Sequence, residues 1–295
     1  MTSGILLVDK PGGITSHDVV SRVRKLAGTR KVGHAGTLDP MATGLLVLGI
    51  DSSTRLLTYL VGLDKEYFAT IRLGFATTTD DAEGEPTGPV TEKIDFTQEQ
   101  IAAAIRPLTG AIEQIPSSVS AIKVDGRRSY DRVREGEEVV LKARAVTVSA
   151  FEVLERRGAE LDVRVECTSG TYIRALARDL GAGLGVGGHL TALRRSRVGP
   201  FDVSDAGQRG EGLMQSLLTP ASVAQRLFAS VTVSTDEVLA LSQGKRVRLE
   251  HVADDSTAPV AAIGPDGRLV GLVTLSDGVA RVLVNFPTGE LIAPC

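Results

Sequence analysis

The apolar positions along this chain change period several times, and each change predicts an element. Residues 4–9 (GILLVD) form a short apolar run closed by Lys10-Pro11-Gly12-Gly13, which predicts a strand entering a turn. Ser16 then stands where a helix cap belongs, Val19, Val20, Val23 and Leu26 recur at helical spacing, and Gly28 is placed to close the helix. Residues 29–44 lose all period; Gly33, Gly36, Gly44 and Pro40 predict a loop there. Residues 45–50 (LLVLGI) predict a fully buried strand and residues 65–74 another. Thr97 and Gln100 spell a capping box for a helix over 98–106 with Ile101 and Ile105 inward. The stretch 111–150 reads as extended structure with a basic excursion at 123–134. Leu161, Val163, Val165 and Cys167 alternate as in a half-buried strand, and Ser169-Gly170 leads on to a helix that turns Ile173, Leu176, Ala177 and Leu180 inward.

Helices and strands are not regularly interleaved, which predicts an α+β fold with a mixed sheet rather than a doubly wound parallel one. Beyond residue 228 the texture changes to a short helix capped at Thr235, small strands and a Pro265-Asp266-Gly267 turn. This predicts two domains, 1–228 and 229–295, the second small, β-rich and barrel-like.

Composition narrows the class. The 295 residues are 42% hydrophobic and 23% charged, as in a globular protein. Two cysteines cannot build a disulfide framework, no apolar run reaches membrane-spanning length, and the N-terminus reads as a strand rather than a signal peptide. A cytoplasmic protein is expected. The net charge of −3 supplies no field to attract a polyanion, and seven Phe, four Tyr and no Trp exclude a broad stacking surface. Charge is nonetheless segregated. Segment 172–197 carries five arginines against Asp179, segment 123–134 five basic residues against Asp125 and Asp131, and segment 77–100 seven acids against Lys93. Basic segments that converge on one face would track phosphates.

Residues 183–188 spell G-x-G-x-x-G, but after a helix and before a strand, the reverse of a dinucleotide fingerprint. No Walker-type loop is present and the four histidines lack metal-ligand spacing, so no cofactor and no metal are expected. The most unusual stretch is 31–44 (KVGHAGTLDPMATG). Pro40 restricts Asp39 to extended backbone angles and so holds its carboxylate on a stiff turn. Taken alone, an Asp-Pro pair is an ordinary turn, and Tyr67, Tyr172 and Arg174 read as core or surface residues.

Taken together these pieces change the reading. Val8-Asp9-Lys10-Pro11 with Thr15-Ser16, the Gly33-to-Pro40 loop, Lys65-Glu66-Tyr67, Gln114-Ile115-Pro116 with Ser120-Ala121-Ile122-Lys123, and Gly170-Thr171-Tyr172-Ile173-Arg174 fall in the order found in bacterial TruB-type tRNA pseudouridine synthases. The chain resembles that family over residues 4–200. The resemblance implies a pseudouridine synthase fold with a central mixed, mainly antiparallel sheet, a thumb-like insertion at about 123–146 and a C-terminal PUA-like RNA-binding domain. It implies isomerisation of uridine 55 in the T loop of tRNA by a monomer that needs no obligate protein partner. Asp39 matches the catalytic nucleophile, Tyr67 the tyrosine that stacks on the target base, and Arg174 the arginine that pairs with the catalytic carboxylate. His34 matches the histidine that fills the space left by flipped bases; Tyr172 and Leu193 match further pocket positions, and Lys10 falls in a substrate-binding motif. Thr78 stands where the family's acidic turn commonly carries Asp, and Asp81 aligns with the functional acid. The segment 229–295 carries five basic residues against eight acidic, which limits its expected RNA contact to Lys245, Arg246 and Arg248. Two other readings share these residues: a non-catalytic tRNA-binding or tRNA-folding protein, and a guide-RNA-dependent relative of the family.

Overall fold

The computed structural model describes residues 2–117, 123–124, 127–128, 141–207, 211–249, 256–287 and 291–292. Its contacts divide into two units, Met1–Pro40 with Leu45–Val61 and Pro200–Cys295, and Met41–Gly44 with Gly62–Gly199.

In the first unit β1 (Thr2–Lys10) buries Ile5, Leu6 and Leu7 almost completely. The helix α1 (Ser16–Ala27) is capped by Thr15, one residue before the expected Ser16. The Thr15 hydroxyl accepts from the Asp18 amide, and the Asp18 carboxylate accepts in return from the Thr15 amide at 2.8 Å. Ser16 is free to turn inward, and Gly28 closes the helix in the left-handed region at φ 63°. Within the expected loop lies β2 (Val32–His34), too short to show a period, paired antiparallel with β3 (Thr43–Ile50) so that His34 faces Leu48. A 3-10 turn over Asp51–Leu56 and α2 (Leu57–Val61) follow.

The second unit holds β4 (Lys65–Leu73), a small hairpin of β5 (Ala76–Thr77) and β6 (Pro86–Thr87), α3 (Gln98–Ile105), and β7 (Gly110–Gln114). Next come β8 (Lys123–Val124) and β9 (Arg127–Arg128), which pair as a hairpin; most of the thumb-like stretch 123–146 lies outside the described residues. The unit closes with β10 (Arg144–Arg157), β11 (Glu160–Cys167), α4 (Ile173–Gly183) and β12 (Gly188–Val198). The strands run β12-β4-β11-β10-β7, all antiparallel, and Thr43 and Gly44 at the start of β3 pair parallel to Arg194 and Arg195. This is the mixed, mainly antiparallel sheet that the resemblance implies. Alternation on β4 buries Tyr67, Ala69, Ile71 and Leu73 on one face and leaves Phe68 and Arg72 exposed on the other. The glycine run at 183–188 joins α4 to β12, helix before strand, and is a connection rather than a dinucleotide loop.

The remaining elements belong to the first unit: β13 (Phe201–Asp202), α5 (Pro220–Leu227), β14 (Ser230–Thr232), α6 (Thr235–Ser242), β15 (Val247–Arg248), β16 (Ser256–Ile263), β17 (Leu269–Ser276), β18 (Val279–Asn285) and β19 (Leu291–Ile292). A five-stranded sheet, β14-β16-β17-β18-β15, closes over Val233, Leu241, Leu249, Val260 and Val273, so the C-terminal part is a β-rich domain with its own core. Its helix is capped by Ser234, with Glu237 completing the box, rather than by Thr235. The last strand, β19, pairs parallel with β1. Among the described residues no helix is long and apolar enough to cross a membrane.

Gly44 sits at φ 101°, and a Cβ built on it would lie 2.2 Å from the Arg195 carbonyl oxygen. Gly44→Ala should therefore destabilise the protein by about 3 kcal/mol or more, as strain and overpacking combine. Gly28→Ala, equally left-handed but with open space around the added carbon, should cost only about 1–2 kcal/mol. Urea midpoints at constant m-value separate the two; equal losses would contradict the close approach at Gly44.

Candidate active site

In the first unit the Asp39 loop is held from below by two buried side chains. Ser16, 2% exposed, accepts from the Leu38 amide at 2.8 Å and donates to the Leu38 carbonyl at 3.1 Å. Lys10 is fully buried, and its ammonium donates to the carbonyls of Pro11 at 2.9 Å, Ile14 at 2.8 Å and Pro40 at 3.2 Å. The Gly13 amide reaches the same Pro40 carbonyl at 2.9 Å. Residues on both sides of Asp39 are thus fixed, while Asp39 itself stays partly exposed. His34, half-buried, enters this loop from the end of β2. Lys10, expected among the substrate contacts, is thus bonded to backbone carbonyls of the Asp39 loop and of the turn beside it.

In the second unit α4 begins at a junction of three segments. Its cap residue Tyr172, half-buried, is bracketed by the buried Gln114 carboxamide, which accepts from the Tyr172 amide at 2.8 Å and donates to the Tyr172 carbonyl at 3.0 Å. Arg174, 4% exposed, donates to the Thr79 carbonyl at 2.8 Å and lies 3.4 Å from the Asp81 carboxylate. Asp81 is equally buried and accepts from the Thr79 hydroxyl and the Glu83 amide. On the sheet, Tyr67 of β4 faces Val165 on one side and Arg195 on the other. Leu193 lies opposite Ala69, two residues along the same face from Tyr67. An open cavity of about 540 Å³ is walled by Leu193, Met41, Thr43, Arg194 and Phe68, the last on the face of β4 opposite Tyr67.

With this geometry the chain was compared with known proteins. The model of the TruB family pseudouridylate synthase N-terminal domain matches residues 24–173. Two further models, for the tRNA pseudouridylate synthase B and tRNA pseudouridine synthase II C-terminal regions, match residues 174–218 and 228–287. A tRNA pseudouridine synthase B from Leifsonia xyli subsp. xyli is 58% identical over 98% of both chains. Another from Arthrobacter sp. (strain FB24) is 54% identical over 98% of this chain and 99% of its own. The chain belongs to the TruB family of pseudouridylate synthases. The fold is shared with a chain in a structure of an H/ACA ribonucleoprotein bound to a substrate RNA containing 2′-deoxyuridine, at a TM-score of 0.70 and 24% identity over 97% of this chain and 86% of that one.

Against this family pattern the arrangement brings Arg174, Asp81 and Tyr172 to one end of α4, Tyr67 and Leu193 to adjacent strands, and Lys10, His34 and Asp39 to one loop. Within the basic segment 172–197, expected to track phosphates, several arginines meet partners inside the protein, while Arg194 is half-buried at the open cavity. Arg174 and Arg195 are buried, Arg178 contacts Asp80 and Asp179, and Arg197 pairs with Glu166 at 3.1 Å, because the acids of β11 and of the 77–85 turn lie against them. The segment 123–134, apart from the backbone of β8 and β9, lies outside the described residues. Gln114 and Lys65 entered the sequence reading only as motif residues and Arg195 only as one of five arginines, none with a place of its own in the site. Strict alternation from Tyr67 back to Lys65 places both on the buried face, and that period was the available signal.

Lys65 and Cys167 face each other across β4 and β11, and both are buried. Burial lowers the Lys65 ammonium to about 8, with the Arg195 charge adding to the effect, while burial raises the Cys167 thiol to about 11. A thiol so high stays neutral and is no nucleophile at physiological pH. The Lys65 penalty is complete below pH 8 and is relieved as pH rises toward the ordinary value of 10.5, because there the unfolded chain binds the proton more tightly. Cys167 has the opposite sign and removes stability as pH rises from 9.0 toward 11. Between pH 8 and 9 the Lys65 contribution alone operates, so the urea stability of wild type should rise relative to that of Lys65→Met. Parallel pH curves for the two proteins would contradict the buried ammonium.

Proposed function

We propose that this chain converts uridine 55 in the T loop of tRNA to pseudouridine, with Asp39 as the reacting carboxylate. The observation that carries the proposal is the clamp on the Asp39 loop, in which Lys10 and Ser16 fix the flanking backbone around a partly exposed Asp39. The reaction breaks the C1′–N1 bond, turns the uracil and joins C1′ to C5; N1 gains a proton and C5 loses one. An ionised carboxylate serves by attacking C1′ or C6, or by taking a ribose proton, and each route needs it in a fixed place.

Flipping the base out of its stack costs a few kcal/mol, and stacking on an aromatic ring returns about 1–3 kcal/mol. Tyr67 supplies that ring and Leu193 the apolar wall beside it. His34 occupies the space that the base leaves. Arg174, set against Asp81, supplies a positive charge without the mobility of a surface arginine. The RNA is read mainly by shape, through its folded T arm. The relatives named tRNA pseudouridine synthase B, at 54–58% identity, support action on tRNA, and the chain is read as acting alone in the cytoplasm; the ribonucleoprotein likeness is one of fold.

Position mapping of pseudouridine in a T-arm transcript incubated with the purified chain tests the assignment. Modification is expected at position 55, and Asp39→Asn should slow it by roughly 10³-fold or more while leaving tRNA binding intact. Normal tritium release from C5-labelled uridine by Asp39→Asn would refute Asp39 as the reacting group.

A further inference from the structure

The pair formed by Arg174 and Asp81 has a second pair behind it that the chemistry does not require. Arg178 follows Arg174 by one helical turn and emerges on the same side of α4. It uses all three of its nitrogens: Nε donates to Asp179 at 2.8 Å, Nη1 lies 3.3 Å from the Asp80 carboxylate, and Nη2 donates to the Ile115 carbonyl at 2.8 Å. One guanidinium therefore joins α4, the acidic turn and the end of β7.

Asp80 is an unusual residue to find at that place. Its φ of 60° lies in the left-handed region, which a residue with a Cβ holds only when its surroundings determine it. Its side chain is 11% exposed, and its backbone carbonyl accepts from the Leu190 amide at 3.0 Å. Burial raises the Asp80 carboxyl above its ordinary value, while the Ser117 hydroxyl and then the Arg178 and Arg174 guanidiniums oppose the rise. Next to it, the Thr79 carbonyl and the Asp81 carboxylate are the two groups that receive Arg174. Whatever fixes Asp80 therefore fixes the acceptors of Arg174.

We propose that Arg178 is a positioning residue for the reaction: by gripping Asp80 and the Ile115 carbonyl together, it sets the acidic turn against which Arg174 is aligned. This rests on the reading of the chain as a pseudouridine synthase with Arg174 in its site. The three-point grip needs the planar fork of arginine, so lysine can satisfy only part of it. Asparagine tolerates the left-handed region, so Asp80→Asn removes the charge without adding backbone strain.

The test measures single-turnover tritium release from a C5-labelled T-arm transcript, tRNA affinity, and amide hydrogen exchange across residues 77–85. Arg178→Gln is expected to slow single turnover by about 10- to 100-fold with tRNA affinity unchanged, and to accelerate exchange in the turn. Arg178→Lys should recover part of the rate. The double variant Arg178→Gln/Asp80→Asn should be no slower than Arg178→Gln alone, because both act through one contact. A wild-type rate in Arg178→Gln, or unaltered exchange across the turn, would overturn the proposal. If the wild-type chain itself makes no pseudouridine, the functional reading fails, while the exchange result still decides whether Arg178 holds the turn.

Discussion

A buried cation must find acceptors or cost several kcal/mol, and the working parts of this chain are organised by that constraint. Lys10, Lys65, Arg174 and Arg195 are each 5% exposed or less. Lys10 finds three carbonyls around the Asp39 loop, and Arg174 finds a carbonyl and a carboxylate in the acidic turn. Lys65 donates to the Leu63 carbonyl just before its own strand. Lys10, Arg174 and Lys65 thereby each hold a segment outside the regular elements. These acceptors all belong to the protein itself.

That arrangement connects the sheet to the chemistry. Alternation on β4 puts Tyr67 and Lys65 on the same buried face, and the antiparallel register with β12 brings Arg195 and Leu193 beside them. Gly44 allows the start of β3 to approach Arg195 at a distance no side chain would permit. The Gln114 carboxamide, bonded to both backbone groups of Tyr172, does for the start of α4 what a strand partner does for a strand.

Much of the fold was legible because it follows local rules. The capping boxes at Thr97 and the alternation of Leu161, Val163, Val165 and Cys167 gave elements within a residue or two of those found. Caps at Thr15 and Ser234 were missed by one residue, since Ser16 and Thr235 are equally good oxygen acceptors and only the backbone angle distinguishes them. The strand β2 was invisible because three residues carry no period. The ordered motifs singled out Asp39, Tyr67 and Arg174 as candidates, but nothing local could say that Arg174 meets Asp81, ninety-odd residues earlier, or that Lys10 is fully buried. Net charge by segment counts residues without their partners: Arg197 meets Glu166 from a different strand.

The claim that these cations hold the protein rather than the RNA is most directly tested by the salt dependence of tRNA affinity. The slope of log affinity against log salt counts phosphate contacts and falls by about one for each contact removed. Lys10→Met and Arg195→Gln should bind with the wild-type slope, whatever they lose in stability or rate. A slope reduced by about one in either variant would place that charge on a phosphate and contradict the account.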